Sequence, residues 1–216
     1  SFGMLNFNFT FTEALPPLAI MAALAIVLFL PLKQCLPAVS LLMVASIFPN
    51  FEKVHLGNAK IDVLDVGQGL AVVVRTAQHV LIYDTGMKFY QAGDMGKLAL
   101  IPYLNTLGIT QIDKIIISHP DLDHRGGLAS LEEKYTVREF IVDDPAFYKR
   151  GKSCHDYPAW NWEGVSFRFF AIATELAGKN NKSCILQIAT QRGKMLLSGD
   201  IEKPAENYLI KTYGKE

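Results

Sequence analysis

The chain has 216 residues, half of them hydrophobic, and its 21 basic and 21 acidic side chains give a formal net charge of zero. A chain of this size and apolar content can bury a globular core. Zero net charge argues against a protein that coats nucleic acid generally, so any nucleic-acid site must be a local patch. Because the sequence begins with Ser1 and not with methionine, we interpret it as a piece of a longer protein.

Two uncharged apolar runs come first in the chain, at residues 14–32 and 35–48. A span of a bilayer needs roughly 20 residues, so the first run is long enough and the second is short. A cleaved signal peptide is the alternative, but no Lys or Arg precedes the first run, as such a peptide requires. We predict a transmembrane helical hairpin within residues 1–50, with spans at about 15–32 and 35–48. Lys33 between them favours a cytoplasmic turn, with the polar domain outside the cytoplasm.

The polar region, residues 52–216, begins as short β-type runs separated by turn residues. The predicted strands are, in order, KIDVLDV, LAVVVRT, HVLIYDT, DKIIIS, VREFIVDD, VSFRFFAIA, SCILQIA and KMLLSG. The predicted helices are KLALIPYLNTLGI, GGLASLEEKY and EKPAENYLIKTY. Strands in series with helices inserted between them predict sheets covered by helices in layers.

The three cysteines follow no zinc-binding spacing. Cys35 lies in an apolar run, and Cys184 fits a small core residue in an apolar alternation. An oxidising compartment would permit a disulfide between Cys154 and Cys184, but the sequence gives no distance between them. The sequence therefore leaves both the bridged and the free state open.

The stretch SHPDLDHRGG, residues 118–127, follows an apolar strand and presents His119, Asp121, Asp123 and His124. A strand that ends in a tight loop can direct alternate side chains to one point. Two imidazoles and two carboxylates at this density suit one or two divalent metal ions. A helix N-cap would explain one of the carboxylates, but not all four groups. We therefore predict a metal site here.

A second carboxylate motif, LLSGDIEKPAE, places Asp200 at the end of an apolar strand. Gly-Asp at such a position is often only a turn. Together with the histidine cluster it fits a bridging aspartate, because one carboxylate can join two metal ions about 3.5 to 4 Å apart.

These motifs, in the order LDVGQG, YDTG, SHPDLDHRGG, NNKSCIL and LLSGDIEKPAE, resemble the metallo-β-lactamase domain of the ComEC family of DNA-uptake channel proteins. The resemblance covers about residues 61–206, and apolar segments ahead of it also fit the family. It implies an α/β fold, an αββα metallo-β-lactamase-like sandwich, preceded by the transmembrane hairpin. It also implies that residues 52–216 are the N-terminal part of that domain, with a last metal histidine in a HisHisGlySer motif beyond Glu216.

By position, the resemblance implies that the metal ligands are His119, Asp121, Asp123, His124 and Asp200. Asp123 would also be catalytic, as the group that orients the attacking water. Asp121 stands where many enzymes of this fold have a histidine, which makes the site richer in oxygen. Among one or two bound divalent ions, this favours manganese over zinc.

The resemblance also places Asp65, Gln68 and Asp84 beside the site, as partners that orient the ligands. Turn residues are the alternative reading of these positions. Asn180 or Asn181 stands near the place where the fold has a further histidine, and the resemblance implies that they also orient the ligands.

The segment from 148 to 162, YKRGKSCHDYPAWNW, combines cations with aromatic rings. That composition is typical of sites that bind single-stranded nucleic acid, although a solvated loop with a partly buried tryptophan is the alternative. The residues predicted to contact DNA are Lys149, Arg150, Lys152 and Trp160.

The main functional hypothesis is a metal-dependent nuclease or phosphodiesterase domain of a membrane DNA-uptake channel, which degrades the strand that is not imported. It would lie on the outer face of the bacterial inner membrane. Its expected partners are DNA (a single strand or a duplex end), the membrane, other DNA-uptake components and the rest of its own channel. The alternatives are a module that guides DNA without cleaving it, and a metallo-hydrolase of small esters or lactams on the same fold.

Overall fold

A computed structural model describes residues 53–91, 93–172 and 178–214, together with Met21, Ala22, Ala25 and Ser40. The chain divides into two compact units, Ser1–Asn50 and Phe51–Glu216. Apart from the four residues just named, the predicted spans at 15–32 and 35–48 lie outside the described residues. Of the helices that the structure does describe, none has the length and apolar content that crossing a bilayer requires.

The strands that the structure describes belong to the second unit. In chain order they are β1 (Lys60–Val63), β2 (Ala71–Arg75), β3 (Val80–Thr85), β4 (Lys88–Phe89), β5 (Gly93–Asp94), β6 (Gln111–Ile117), β7 (Thr136–Val142), β8 (Lys152–Ser153), β9 (Trp160–Trp162), β10 (Val165–Phe170), β11 (Ile185–Thr190) and β12 (Gly193–Leu197).

The helices of this unit are short, apart from the last. They are α1 (Ile101–Thr106), which continues a π-helical turn at Gly96–Leu100, then α2 (Leu122–Arg125), α3 (Leu128–Lys134), α4 (Pro145–Tyr148) and α5 (Lys203–Tyr213). The single helix predicted at GGLASLEEKY is α3, and α2 precedes it directly after the histidine strand.

Two larger sheets form the framework. Six strands lie in the order β1-β2-β3-β6-β7-β8, and four lie in the order β12-β11-β10-β9. The first sheet changes direction at β3: β1, β2 and β3 pair antiparallel, whereas β3, β6, β7 and β8 pair parallel. The second sheet is antiparallel throughout.

The β2 strand shows why the sheets are layered. Its apolar residues are buried on both faces, with Val73 in a core that includes Leu100 and Leu131 from the helical layer. Val72 instead packs with Phe167 in a core between the two sheets. A third cluster packs helix α5 against the outer face of the second sheet. The helix–sheet–sheet–helix order confirms the predicted αββα sandwich.

Buried contacts join the two sheets near the end of β6. The Tyr83 hydroxyl lies 2.6 Å from the Cys184 carbonyl oxygen and 3.3 Å from that of Leu197. Cys154 and Cys184 form a disulfide with their Cα atoms 5.7 Å apart. Of the two states that the sequence left open, the structure therefore has the bridged one. The bridge connects the segment after β8 to the start of β11, so the edge of one sheet is covalently tied to the other.

We expect that replacing both Cys154 and Cys184 by serine lowers the free energy of unfolding by about 3 kcal/mol, because the bridge closes a long loop. The sequence separation of the pair is 30 residues. Denaturant titration of the full chain, with and without reductant, measures the change. Cys35→Ser is the matched control and should behave as wild type. A wild-type midpoint that reductant leaves unchanged would contradict the bridge.

Candidate metal centre

The candidate site lies where two adjacent parallel strands end. Strand β3 pairs with β6, and their carboxyl ends carry Asp84 and the pair Ser118 and His119. The short helix α2 follows and brings His124 back to the same place. Ligand sites commonly form at such strand ends because loops there can converge without breaking the sheet.

Asp84 holds these elements together from a fully buried position. Its carboxylate accepts hydrogen bonds from the Ser118 amide at 2.6 Å and the Ser118 hydroxyl at 2.7 Å. It also lies 2.8 Å from Nδ1 of His124. A carboxylate can only accept, so His124 must carry its proton on Nδ1.

Ser118 fixes the second histidine in the same way. Its hydroxyl donates to Asp84, so the oxygen is left to accept from Nδ1 of His119, 3.0 Å away. Both imidazoles therefore carry a proton on Nδ1, and in the neutral form of each ring this leaves Nε2 bare. This is the arrangement in which a carboxylate behind a histidine prepares Nε2 to bind a metal ion.

The two Nε2 atoms face Asp200, and the three residues can each place a ligand atom within 4.8 Å of the others. Both Nε2 atoms are buried, and among the described residues neither has a hydrogen-bond partner. Buried polar atoms are rarely left unsatisfied. The unpartnered nitrogens and the exposed Asp200 carboxylate, 3.3 Å from Nε2 of His124, therefore fit a divalent metal ion.

The two histidines differ in their electrostatics. Burial lowers the pKa of His119 below its ordinary value, and the charge of His124 lowers it further, which keeps this ligand neutral. Burial also acts to lower the pKa of His124, but the hydrogen bond and the charge of Asp84 outweigh it and raise that pKa.

The predicted ligands Asp121 and Asp123 are not members of this compact group. Asp121 occupies the N-cap position of α2, but its side chain forms no cap hydrogen bond. It pairs with Lys179, which lowers its pKa, and lies 3.6 Å from Nε2 of His119. Asp123 is half-buried, and its charge contributes to the raised pKa of His124. The structure thus brings together His119, His124 and Asp200 and leaves the other two assignments as predictions.

The preference for manganese depended on Asp121 as a ligand. With that carboxylate paired to Lys179, the compact group is two imidazoles and one carboxylate. Zinc, manganese and iron all accept such a set. The geometry therefore fits a divalent ion without favouring manganese.

Glycines allow the surrounding loops to approach the site. A Cβ on Gly69 would lie 1.9 Å from the Asp123 carbonyl oxygen, and a Cβ on Gly199 would lie 2.9 Å from the Ser118 side chain. Both glycines also have positive φ. The LDVGQG loop and the loop that carries Asp200 can therefore pack directly against the histidine segment.

The predicted orienting residues divide into three groups. Asp84 is the central partner described above. Asp65 and Gln68 are exposed, and Asp65 accepts from Gly67 in its own turn at 3.1 Å, as the turn alternative expects. Asn180 and Asn181 contact Glu202, whose amide donates to the Asn181 side chain at 3.0 Å. The two asparagines thus brace the loop that follows Asp200.

The predicted DNA-contacting residues are engaged with their own chain. Arg150 pairs with Glu132 at 2.5 Å, and Lys152 pairs with Glu139 at 2.6 Å. Trp160 belongs to β9 and stacks on Phe167 with ring centroids 5.0 Å apart. Lys149 is exposed at the end of α4. Three of the four side chains therefore have structural roles, and the DNA assignment stays a prediction.

Sequence patterns did not identify Ser118, Lys179 or Asp143 as site residues. Asp143 follows β7 directly beside Ser118, because Val142 pairs with Ile117. Its Oδ1 atom and the Tyr148 hydroxyl are buried, and no hydrogen-bond partner for either lies among the described residues. Burial raises the pKa of Asp143 to about 6. The sequence spacing around these three residues does not distinguish a functional position from a structural one.

An αββα sandwich with histidines and aspartates at the ends of its strands defines a protein of the metallo-β-lactamase fold. The sequence profile of the metallo-beta-lactamase superfamily matches residues 64–214, and the chain belongs to that superfamily. A metallo-β-lactamase of Cronobacter sakazakii, a HARLDQ motif mutant, has a similar structure, with a TM-score of 0.50 and 15% identity. The match covers 69% of this chain and 64% of that one, and it shows the fold alone.

Competence proteins are among the curated relatives. "Competence protein ComA" of Neisseria gonorrhoeae is 33% identical over 202 residues, covering 93% of this chain and 28% of that protein. "Recombination protein 2" of Haemophilus influenzae is 31% identical over 168 residues, covering 76% of this chain and 21% of that protein. The chain thus spans about a quarter of the length of these relatives. The resemblance to the ComEC family is confirmed.

The role of Asp84 can be tested by Asp84→Asn. Asparagine has nearly the same shape but lacks the charged carboxylate that accepts hydrogen bonds from both Ser118 and His124. We therefore expect zinc affinity to fall by about 10- to 100-fold. Calorimetric zinc titration of the full chain measures it. Asp65→Asn is the matched control and should retain wild-type affinity. Equal affinity in both variants would mean that Asp84 does not orient the histidines.

The lowered pKa of Glu139 predicts that the free energy of unfolding depends on pH. Burial raises its pKa, but hydrogen bonds from Lys114, Lys152 and Tyr157 outweigh burial and bring the pKa to about 2. The pKa of Glu139 is lower in the folded protein than in the unfolded one, where it is about 4.5. The ionised carboxylate therefore stabilises the fold above that pH, and the stabilisation is lost as the pH falls toward 2. Glu139→Gln should therefore cost roughly 2 kcal/mol at pH 7 and flatten the acid limb of the stability profile.

Denaturant unfolding between pH 7 and pH 2 tests this expectation. Glu133→Gln is the matched control, because its carboxylate is 76% exposed and lies 3.7 Å from Lys97. Exposed pairs contribute about 1 kcal/mol or less. If the Glu139 and Glu133 variants lost equally little stability, the buried network around Glu139 would have no net effect.

Proposed function

We propose that this chain is the metal-dependent phosphodiesterase domain of a DNA-uptake protein, acting on the DNA strand that is not imported. The observation that carries the proposal is the pair of buried, unpartnered Nε2 atoms of His119 and His124 facing Asp200. Their arrangement leaves two nitrogen ligands for a metal ion, as a metal-dependent hydrolase requires. A structural metal site would be closed by protein ligands, whereas half of the Asp200 side chain is exposed, at 51%.

The residues that would hold the ion are His119, His124 and Asp200. A divalent ion bound there supplies positive charge for a phosphoryl oxygen and makes water more acidic. The chain's own residues do the rest: Ser118 and Asp84 keep both Nε2 atoms bare and aimed, and Asp123 accepts a hydrogen bond from the attacking water. Lys179 beside Asp121 supplies a cation at the rim of the site.

The choice of DNA as substrate rests on the relatives. Two of the proteins similar to this chain are described as a competence protein and a recombination protein. Both names concern proteins about four times the length covered here, so the substrate comes to this chain only by inference. A phosphodiester substrate suits a site that combines a group of metal ligands with a cation at its edge, here Lys179.

The Cys154–Cys184 disulfide supports a location outside the cytoplasm. Disulfides persist in the periplasm and on cell surfaces and are rare where thiols are kept reduced. This agrees with the topology that Lys33 favours, with the metal domain on the outer face of the bacterial inner membrane. There the domain would meet incoming DNA, the other DNA-uptake components and the rest of its own channel.

A cleavage assay with the natural full-length protein tests the proposal. End-labelled single-stranded and duplex DNA are incubated with manganese or zinc, with and without chelator. His119→Ala should reduce cleavage by about 100-fold or more, since losing a ligand costs at least as much as losing its orienting partner. His155→Ala, an exposed histidine outside the cluster, is the matched control and should cleave normally.

The alternatives give different results in the same experiment. Cleavage that survives both chelator and His119→Ala would refute the proposal. Salt-sensitive DNA binding without cleavage, unaffected by the variant, would support a DNA-guiding module. Turnover of a chromogenic lactam with none of DNA would support a small-molecule hydrolase on this fold.

A further inference from the structure

Two large apolar side chains are half-exposed beside the candidate metal centre. Leu122 on helix α2 and Phe147 on helix α4 are each 51% exposed. Arg125 lies three residues after Leu122, on the same face of α2. Its guanidinium carbon is 5.3 Å from the centre of the Phe147 ring. We call Leu122, Arg125 and Phe147 the rim platform, and none of them belongs to the group of metal ligands.

The rim platform lies at the same edge of the first sheet as the metal centre. Arg125 directly follows the ligand His124, and its Nε atom donates to the Pro120 carbonyl oxygen at 2.6 Å, in the loop that carries the other histidine. Strand β7 lies parallel to β6, the strand that ends at the histidine cluster, and α4 starts three residues after β7. Neighbouring parallel strands end at the same edge of a sheet. Both helices of the platform therefore adjoin the metal centre.

The Phe147 ring is held in place although half of it is exposed. The Asp144 side chain caps α4 by accepting from the Ala146 and Phe147 amides, at 2.9 Å and 3.3 Å. The ring also meets Tyr148 edge-on, with centroids 4.9 Å apart, and Tyr148 packs in turn on Phe140 of β7. A side chain that is already ordered loses little conformational freedom when a ligand binds. The ring is therefore a prepared surface.

The size and chemistry of the rim platform favour a nucleobase over a protein partner. A stable protein interface buries about 800 Å² on each side, which is far more than two half-exposed side chains offer. An aromatic ring beside an arginine is a surface on which unpaired bases stack. Among the described residues, Arg125 has no carboxylate partner. Its charge is therefore available to a phosphate of the same strand.

We propose that the rim platform binds one unpaired base of a DNA strand, stacked on Phe147, while a phosphodiester of that strand lies at the metal centre. Arg125 contacts the backbone between the two places. The choice of DNA as ligand rests on the proposed function. The inference adds that the strand must be single at this point, because the base faces inside a duplex are covered by neighbouring base pairs.

A double-mutant cycle tests the stacking. It combines Phe147→Ala in the full chain with removal of the bases from a short single-stranded oligonucleotide, which leaves an abasic strand of the same length and charge. Calorimetric titration in the presence of chelator measures binding without cleavage. Phe147→Ala should weaken binding of the normal strand by about 10-fold, as expected for the loss of one stacked base. Binding of the abasic strand should not change.

Two further substitutions at the same position separate stacking from apolar contact. Phe147→Trp keeps an aromatic face and should bind the normal strand at least as well as wild type, whereas Phe147→Leu should bind it about as weakly as Phe147→Ala. Ile210→Ala is the matched control, because Ile210 is 70% exposed on α5, the helix on the outer face of the second sheet. It should bind both strands as wild type does. Equal unfolding midpoints would exclude a folding defect.

Three results would overturn the proposal. One is an equal loss of affinity for the normal and abasic strands in Phe147→Ala, since no base would then be involved. Another is wild-type binding by Phe147→Leu, and the third is the absence of any binding by the wild-type chain. Cleavage that requires His119 without any effect of Phe147 on binding would refute the platform alone. Base-dependent binding without cleavage would support the platform and refute the phosphodiesterase.

Discussion

The buried carboxylate of Asp84 is the constraint on which the site depends. A charge removed from water is costly unless it is fully hydrogen-bonded. Asp84 meets that requirement through the amide and hydroxyl of Ser118 and through Nδ1 of His124. These partners come from the end of β6 and from α2. Neither element can therefore shift without breaking a hydrogen bond to the buried charge. The contacts that stabilise the carboxylate are the same ones that leave both Nε2 atoms bare.

The second sheet is joined to the first at the same point. The Ser118 carbonyl oxygen accepts from the Cys184 amide at 2.9 Å, beside the disulfide. Gly199 packs against the Ser118 side chain, where no Cβ would fit without a shift. Asp200 comes next in the chain, so its carboxylate is delivered to the histidines by the contact between the sheets. A metal ion held by all three residues would therefore stabilise the sandwich.

The sequence predicted what local patterns encode. Alternating apolar strands predicted the layers, the dense HxDxDH motif predicted His119 and His124, and the separate LLSGDIEKPAE motif predicted Asp200. Lys179 was missed because its pairing with Asp121 depends on how separate loops fold together. The DNA assignment of Trp160 comes from the composition of residues 148–162 and stays a prediction. The stacking of Trp160 on Phe167 is a tertiary contact, and the three-residue strand β9 is too short for an alternating pattern to predict it. The acidic partners of Arg150 and Lys152 likewise come from other elements.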